Sequence, residues 1–239
     1  MKIAILGTVH PKGLEFLKEN ELEIVELTNF NKQNLQEELK FIDAILLRTS
    51  RLDKDILEHC KKLKIISRHG VGYDNVDLDY LNKKKIALCI TSTSNAVSVA
   101  EHVMSFFLYL TKNLSLSDKL VKEGNFTQRS ELPNFFELYK KKLLIAGFGR
   151  IGKEVAKRCL GFDMEVYVYD PFLNNDLIKK SGCIPIEKND GLALADFISI
   201  HLPLNEDTKN FISQTELDLM KEKTILVNTS RGGIVNEND

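Results

Sequence analysis

Gly147, Gly149 and Gly152 stand in the run AGFGRIGKEVAKR, directly after the apolar stretch Leu143 to Ala146 and at the head of a helical pattern. G-x-G-x-x-G between a strand and a helix is the spacing that brings backbone against a pyrophosphate. Gly147 permits the tight turn, Gly149 lets the backbone approach the phosphates, and Gly152 allows the helix to pack closely on the strand. The helix N-terminus then faces the negative charge. A second apolar run, EVYVYD, closes on Asp170, near the separation of about 20 residues at which a carboxylate takes the ribose hydroxyls and disfavours a 2′-phosphate. Taken singly, the glycines make an ordinary strand-to-helix turn and Asp170 is a solvated strand end. Strand, glycines, helix and acid agree, however, and together they point to NAD rather than NADP.

Other polar residues follow apolar runs in the same way. Arg48 follows AILL, Arg68 and the HGVG loop follow KIIS, His201 follows FISI, and Arg231 lies just after ILVNTS. In open α/β sheets ligands bind beyond the carboxyl ends of the strands. Each residue alone reads as a surface charge or a hydrogen-bonded packing histidine. Together they supply cationic donors that match a carboxylate, joined by backbone N–H groups of Gly70, Val71 and Gly72. The expectation is a small anionic substrate beside NAD, in one cleft between two units.

Those strand ends need strands to hold them. Short β-branched and aliphatic runs alternate with helical patterns throughout, which is the signature of α/β architecture with parallel sheets covered on both faces. The strands are expected at Lys2 to Leu6, Leu22 to Leu27, Asp43 to Leu47, Leu63 to Ser67 and Ala87 to Ile90. A second series runs Leu143 to Ala146, Glu165 to Tyr169, Cys183 to Ile186, Asp196 to Ile200 and Thr224 to Asn228. The reading is two doubly wound domains: residues 1–94 substrate-binding and flavodoxin-like, and residues 95–239 a Rossmann NAD-binding domain that is C-terminally incomplete. Ser98 and Glu101 have capping-box spacing, so a long helix is expected to start there. The polar stretch from Ser115 to Lys142 reads as a connection.

Composition narrows the function. With 33 basic against 34 acidic residues and a net charge of −1, no field gathers nucleic acid. The longest apolar stretch, AVSVAEHVMSFFLYL, contains Glu101 and His102 and is too short to span a bilayer. Cys60, Cys89, Cys159 and Cys183 are scattered without a C-x-x-C pair, and the chain opens on a strand-like KIAILG. A reduced, cytoplasmic protein with no metal site, no nucleic-acid partner and no membrane partner is expected.

With these residues in view the chain resembles the D-2-hydroxyacid dehydrogenases, especially the branch like D-3-phosphoglycerate dehydrogenase. The blocks RHGVGYDNVDL from Arg68, SNAVSVAEHV from Ser94, GFGRIGKEVAKR from Gly147, YDP from Tyr169, ISIHLPLNEDTKNFI from Ile198 and ILVNTSRGGIVNE from Ile225 occur in family order. The resemblance implies hydride transfer between NAD(H) and a small 2-hydroxy or 2-keto acid, in a homodimer supported by the helix near Ser98. It implies that Arg150 and Ile151 contact the pyrophosphate and Asp170 the adenosine ribose. Val71, Leu202 and Thr229, Ser230 and Arg231 would line the nicotinamide end, with His201 and Pro203 shaping that wall. Gly70 to Gly72 would hold the substrate carboxylate, Arg231 would bind and polarise the oxygen at C2, and Arg48 and Arg68 would take the phosphate side of 3-phosphoglycerate.

The pattern is also departed from. The family's acid–base histidine follows the arginine and is oriented by a glutamate between them, whereas His10, His59, His69, His102 and His201 all precede Arg231. The resemblance therefore implies little or no turnover by the chain as it stands, and a longer native protein that supplies the pair. The alternative is an NAD-binding protein with a regulatory or protein-interaction role and no turnover. ITSTSN from Ile90 and the Asn236 of VNEND are smaller departures from the family blocks.

Overall fold

Ten short aliphatic runs form two separate parallel sheets in the computed structural model, which describes residues 1–239. The chain divides between them into a first unit, Met1–Ser94, and a second, Asn95–Asp239.

In the first unit the strands are β1 (Lys2–Leu6), β2 (Glu23–Leu27), β3 (Ala44–Leu47), β4 (Ile65–Arg68) and β5 (Ala87–Ile90). They alternate with α1 (Pro11–Glu19), α2 (Lys32–Glu38), α3 (Lys54–Leu57) and α4 (Leu78–Lys84). The sheet order β2-β1-β3-β4-β5 is the flavodoxin-like doubly wound order, with its switch point between β1 and β3. Ala4, Leu6, Ile45, Leu47 and Ile66 are buried together with Leu35 and Leu39. Helix starts are set by side chains that accept otherwise unpaired first-turn N–H groups. Asn31 accepts from Asn34 at 2.8 Å, Asp53 from Ile56 at 3.1 Å and Asp77 from Tyr80 at 2.9 Å.

The second unit opens with α5 (Ala96–Thr111) and α6 (Leu114–Lys122), followed by a 3-10 turn at Phe126–Glu131. Its strands are β6 (Lys142–Ala146), β7 (Glu165–Tyr169), β8 (Ile184–Pro185), β9 (Phe197–Ile200) and β10 (Ile225–Asn228). Between them lie α7 (Arg150–Gly161), α8 (Asn175–Lys180), α9 (Lys188–Leu194) and α10 (Gln214–Leu217). The order β10-β9-β6-β7-β8 corresponds to five strands of the six-stranded Rossmann order, with its switch point between β6 and β9. Strand residues alternate between two cores, as a sheet covered on both faces requires. Leu143, Ile145, Val166 and Val168 pack with α5 and α7 residues, whereas Leu144, Ile198 and Ile200 pack with Leu192, Ile212 and Ile234. Helix α5 contributes Ala100, Val103, Met104, Phe107 and Thr111, one helical stripe, and Phe107 meets Phe197 edge-on at 4.9 Å.

Both sheets start from the same device. The Asp43 carboxylate accepts the Lys2 N–H at 2.8 Å, and the Asp196 carboxylate accepts the Lys142 N–H at 2.9 Å. Each aspartate also donates its own N–H to the carbonyl of the same lysine. The first strand of each sheet is thereby fixed in register against its neighbour across the switch point.

Two expectations are corrected. Helix α5 starts at Ala96, not at Ser98, and Asn95 at its cap makes no side-chain capping bond. Burying Ala96 above Ala100, one turn apart on the inner face, extends the helix past the serine. Glu101 turns instead to Arg158, 3.3 Å away on α7. The segment from Ser115 onward holds no strand before β6, but it is more than a connection, because α6 runs into it. That helix carries i,i+4 pairs between Lys119 and Glu123 and between Lys122 and Asp118. No helix is long and apolar enough to cross a membrane.

All four cysteines are free. Burial pushes the Cys60 and Cys159 thiols up to about 12 and Cys183 up to about 11, while Cys89 is exposed.

A capping box does occur, at the start of α10. The Glu216 carboxylate reaches back to the Ser213 N–H at 3.0 Å and the Ser213 hydroxyl at 2.7 Å, and Lys188 joins it at 2.9 Å. Burial works to raise the Glu216 pKa, but these partners outweigh it and hold the carboxyl at about 2. A depressed carboxylate stabilises the fold above its unfolded pKa and loses that contribution as pH falls through the folded value. Glu216→Gln should therefore lower Tm near neutral pH, and the gap from the parent should close between pH 4.5 and 2, as thermal unfolding across that range would show.

Candidate functional site

The carboxyl edge of the second sheet gathers most of the residues singled out in the sequence. Tyr169, Ala146, Ile200 and Asn228 lie in one register row across β7, β6, β9 and β10. The next residue on each strand is therefore Asp170, Gly147, His201 and Thr229, in that order along the edge. At a strand spacing of about 4.8 Å the row extends about 14 Å.

At its centre the glycine turn is tightly enclosed. Gly147 has φ +91°, and a side chain there would place Cβ 2.7 Å from the His201 carbonyl oxygen and 3.1 Å from Leu202. Gly152, buried in the first turn of α7, would drive a Cβ into the Gly147 carbonyl oxygen. Gly149 differs: it is exposed, and nothing lies within 4 Å of the Cβ it lacks. Two glycines thus let the chain pack on itself, and the third leaves open space at the helix N-terminus. Arg150, exposed, and Ile151, half-buried, begin the helix beside that space.

Asp170 does more than end a strand. One carboxylate oxygen accepts the Phe148 N–H at 2.9 Å and the other the Phe172 N–H at 3.1 Å. Because Phe148 lies between the first two glycines, the acid at the end of β7 holds the turn. Each oxygen keeps a free lone pair for a further donor.

His201 Nε2 lies 2.8 Å from the buried Ser199 hydroxyl, while Nδ1 is buried without a hydrogen-bond partner. Burial lowers its pKa to about 4, so the ring is neutral at pH 7. What packs on the turn is the His201 backbone carbonyl, with the Leu202 side chain also against Gly147, and the Pro203 carbonyl accepts from Thr208 at 2.5 Å.

At the end of β10, the Thr229 hydroxyl is buried without a hydrogen-bond partner. An open cleft of about 590 Å³ lies beside it, lined by Ser98, Val99, His102, Phe106, Asn228 and Thr229. A second cleft, of about 510 Å³, includes Thr229, Ser230, Arg231 and Glu237 in its wall. Arg231 is half-buried and donates from Nη1 to the Ser230 carbonyl at 2.7 Å.

In the first unit, Arg48 is exposed at the β1/β3 switch point and packs so closely on Gly7 that a Cβ there would lie 2.8 Å from its own. Arg68 folds back over Gly70, which has φ +155°, and donates to the His69 carbonyl at 2.5 Å. Val71 and Gly72 follow, half-buried. Asn75 ties this loop to the one after β3: its amide donates to the Ser50 carbonyl at 2.7 Å, and its carbonyl accepts the Leu52 N–H at 2.8 Å. Asn75 was not singled out from the sequence, and neither was Asn228.

The family model for the NAD binding domain of D-isomer specific 2-hydroxyacid dehydrogenases matches residues 104–239. The chain belongs to this dehydrogenase family. It is 32% identical to the D-3-phosphoglycerate dehydrogenase of Archaeoglobus fulgidus over 99% of its own length and 45% of that protein. It is 35% identical to the hydroxypyruvate reductase of Thermotoga maritima, over 92% of the chain and 71% of the relative. A solved D-lactate dehydrogenase from Aquifex aeolicus, complexed with NAD and lactic acid, matches with a TM-score of 0.88 and 32% identity. That likeness covers 100% of this chain and 71% of the other. The chain thus spans less than half the length of the D-3-phosphoglycerate dehydrogenases it matches.

NAD, which the family's domain binds, fits what the chain presents. Open space lies at Gly149 by the helix N-terminus, Asp170 keeps lone pairs for further donors, and the unpartnered Thr229 hydroxyl lies at the far end of the row.

The three glycines should separate in experiment. Gly149→Ala should leave Tm nearly unchanged but weaken NADH binding at least tenfold, because its methyl enters open space needed by the phosphates. Gly152→Ala should lower Tm first, by overpacking that costs about 1–3 kcal/mol or more. Paired melting curves and NADH fluorescence titrations check both.

Proposed function

We propose that this protein binds NAD(H) along the edge Asp170–Gly147–His201–Thr229 and serves oxidoreduction between a small 2-hydroxy acid and the corresponding 2-keto acid. The observation that carries the reading is the register row itself. It brings a carboxylate acceptor, open space at a helix N-terminus and a hydroxyl beside a cationic loop into one line of about 14 Å, which supports the reading. When bound, NAD supplies the hydride acceptor at C4 of its nicotinamide ring.

The chain's own groups have distinct tasks in this reading. Arg231 binds the oxygen at C2 and stabilises charge that develops on it. Gly70, Val71 and Gly72 hold the substrate carboxylate, and Arg48 and Arg68 the anionic end of a longer substrate. The first unit is then the substrate-binding domain and the second the NAD domain. His201, already bonded to Ser199 and with a pKa near 4, acts as a wall and not as the proton carrier. Relatives named D-3-phosphoglycerate dehydrogenase support a phosphorylated three-carbon acid as substrate.

A cytoplasmic homodimer belongs to the same proposal. Val97, Phe106, Tyr109 and Leu110 on α5, and Leu114 and Val121 on α6, are exposed apolar side chains gathered in one stretch of chain. A second copy is the occupant proposed for that surface.

Binding measurements test the reading. NADH should bind more tightly than NADPH, and Asp170→Ala should narrow that preference while lowering NADH affinity about tenfold or more, as loss of a charged acceptor does. Unchanged cofactor preference would remove Asp170 from the ribose. By calorimetry, Arg48→Ala should weaken 3-phosphoglycerate far more than glyoxylate, and equal losses would end the phosphate argument. Tight NADH binding without any 2-keto acid binding would favour the regulatory, non-catalytic alternative.

A further inference from the structure

Arg231 lies three residues beyond the last strand, in the loop that follows β10. A guanidinium can present its fork to an anion only if the backbone that carries it is held. The holding group is Asn228. Its amide oxygen accepts both the Ser230 N–H, at 3.0 Å, and the Ser230 hydroxyl, at 2.6 Å. Its amide nitrogen donates to the Arg231 carbonyl at 2.8 Å. The backbone of Asn228 meanwhile stays in the register row, paired with Ile200. One side chain therefore ties the loop to the sheet edge through three hydrogen bonds.

Asparagine suits this position because its planar end carries an acceptor and a donor together. Leucine has neither, and aspartate has no donor. All three bonds go to Ser230 and Arg231 and none to the core, so what they fix is the loop and not the fold. Asn228 also lies in the walls of both clefts that flank Thr229. It sits where the two sides of the loop meet.

We infer that Asn228 is a positioning residue, which holds Thr229 to Arg231 in the conformation that presents Arg231 to the substrate oxygen. The inference rests on the reading of Arg231 given above. A bond set of this kind acts on substrate orientation more than on stability, since misplacing a binding group by about 1 Å costs as much as a hundredfold.

The test uses the whole chain and two probes. ADP-ribose reports the glycine turn and Asp170, while oxamate, added to the NADH complex, reports the Arg231 end. Asn228→Ala should weaken oxamate roughly tenfold to a hundredfold, leave ADP-ribose affinity unchanged, and speed amide exchange at Ser230 and Arg231. Ser230→Ala, which removes one of the three bonds, should give a smaller loss in the same direction. Arg231→Ala is measured alongside. If Arg231→Ala weakens oxamate and Asn228→Ala does not, the positioning role is overturned while the reading of Arg231 stands. If Arg231→Ala binds oxamate as the parent does, the reading of Arg231 falls and the positioning role with it. Parallel loss of oxamate and ADP-ribose in Asn228→Ala would show a general structural effect and overturn the proposal.

Discussion

The geometry of the second unit depends on one crowded contact, the approach of Gly147 to the His201 carbonyl at the switch point between β6 and β9. On either side of that point the chain leaves the sheet in opposite directions, so a crevice opens there. The crevice is useful only if the turn that floors it is low. A side chain on Gly147 would raise the floor, and one on Gly152 would push α7 away. Asp170 then holds the turn from the β7 side through the Phe148 N–H, so the groups of the turn are placed by the packing that makes the crevice.

The first unit solves the same problem with different residues. Gly7, with φ +117°, lies under Arg48 as Gly147 lies under His201. At the opposite edge Asp43 and Asp196 clamp the first residues of β1 and β6. No repeat is visible in the sequence, because what recurs is a set of steric and hydrogen-bonding requirements at strand ends and not a residue pattern. The difference lies in the residue after the partner strand, which is an exposed arginine in one unit and a half-buried neutral histidine in the other. A switch point edged by a cation suits a free anionic acid, and one edged by a neutral wall suits a dinucleotide whose charge is met by backbone.

Much of this was legible in the residues. All ten strands fall within or beside the expected runs, and the central ones, buried on both faces, leave aliphatic blocks in the sequence. Gly147, Gly149 and Gly152 announced the turn through spacing alone. S-x-x-E spacing points to Ser98 as a helix start because it occurs wherever the two residues share a helix face, whereas the burial of Ala96 that extends the helix is tertiary. The true capping box at Ser213 and Glu216 went unnoticed for the same reason. Asn75 and Asn228 were also passed over. An asparagine near a turn reads as a turn former, and its service to a neighbouring loop depends on partners that sequence order does not reveal.

The four thiols differ sharply in reactivity. Three of the four are sealed in the cores with pKa values of about 11 to 12, which leaves almost no thiolate at neutral pH, while Cys89 stands exposed on edge strand β5. A maleimide dye should therefore settle on one position without any cysteine being engineered away. The protein comes with its own single-site optical reporter, placed on the edge strand of the first unit.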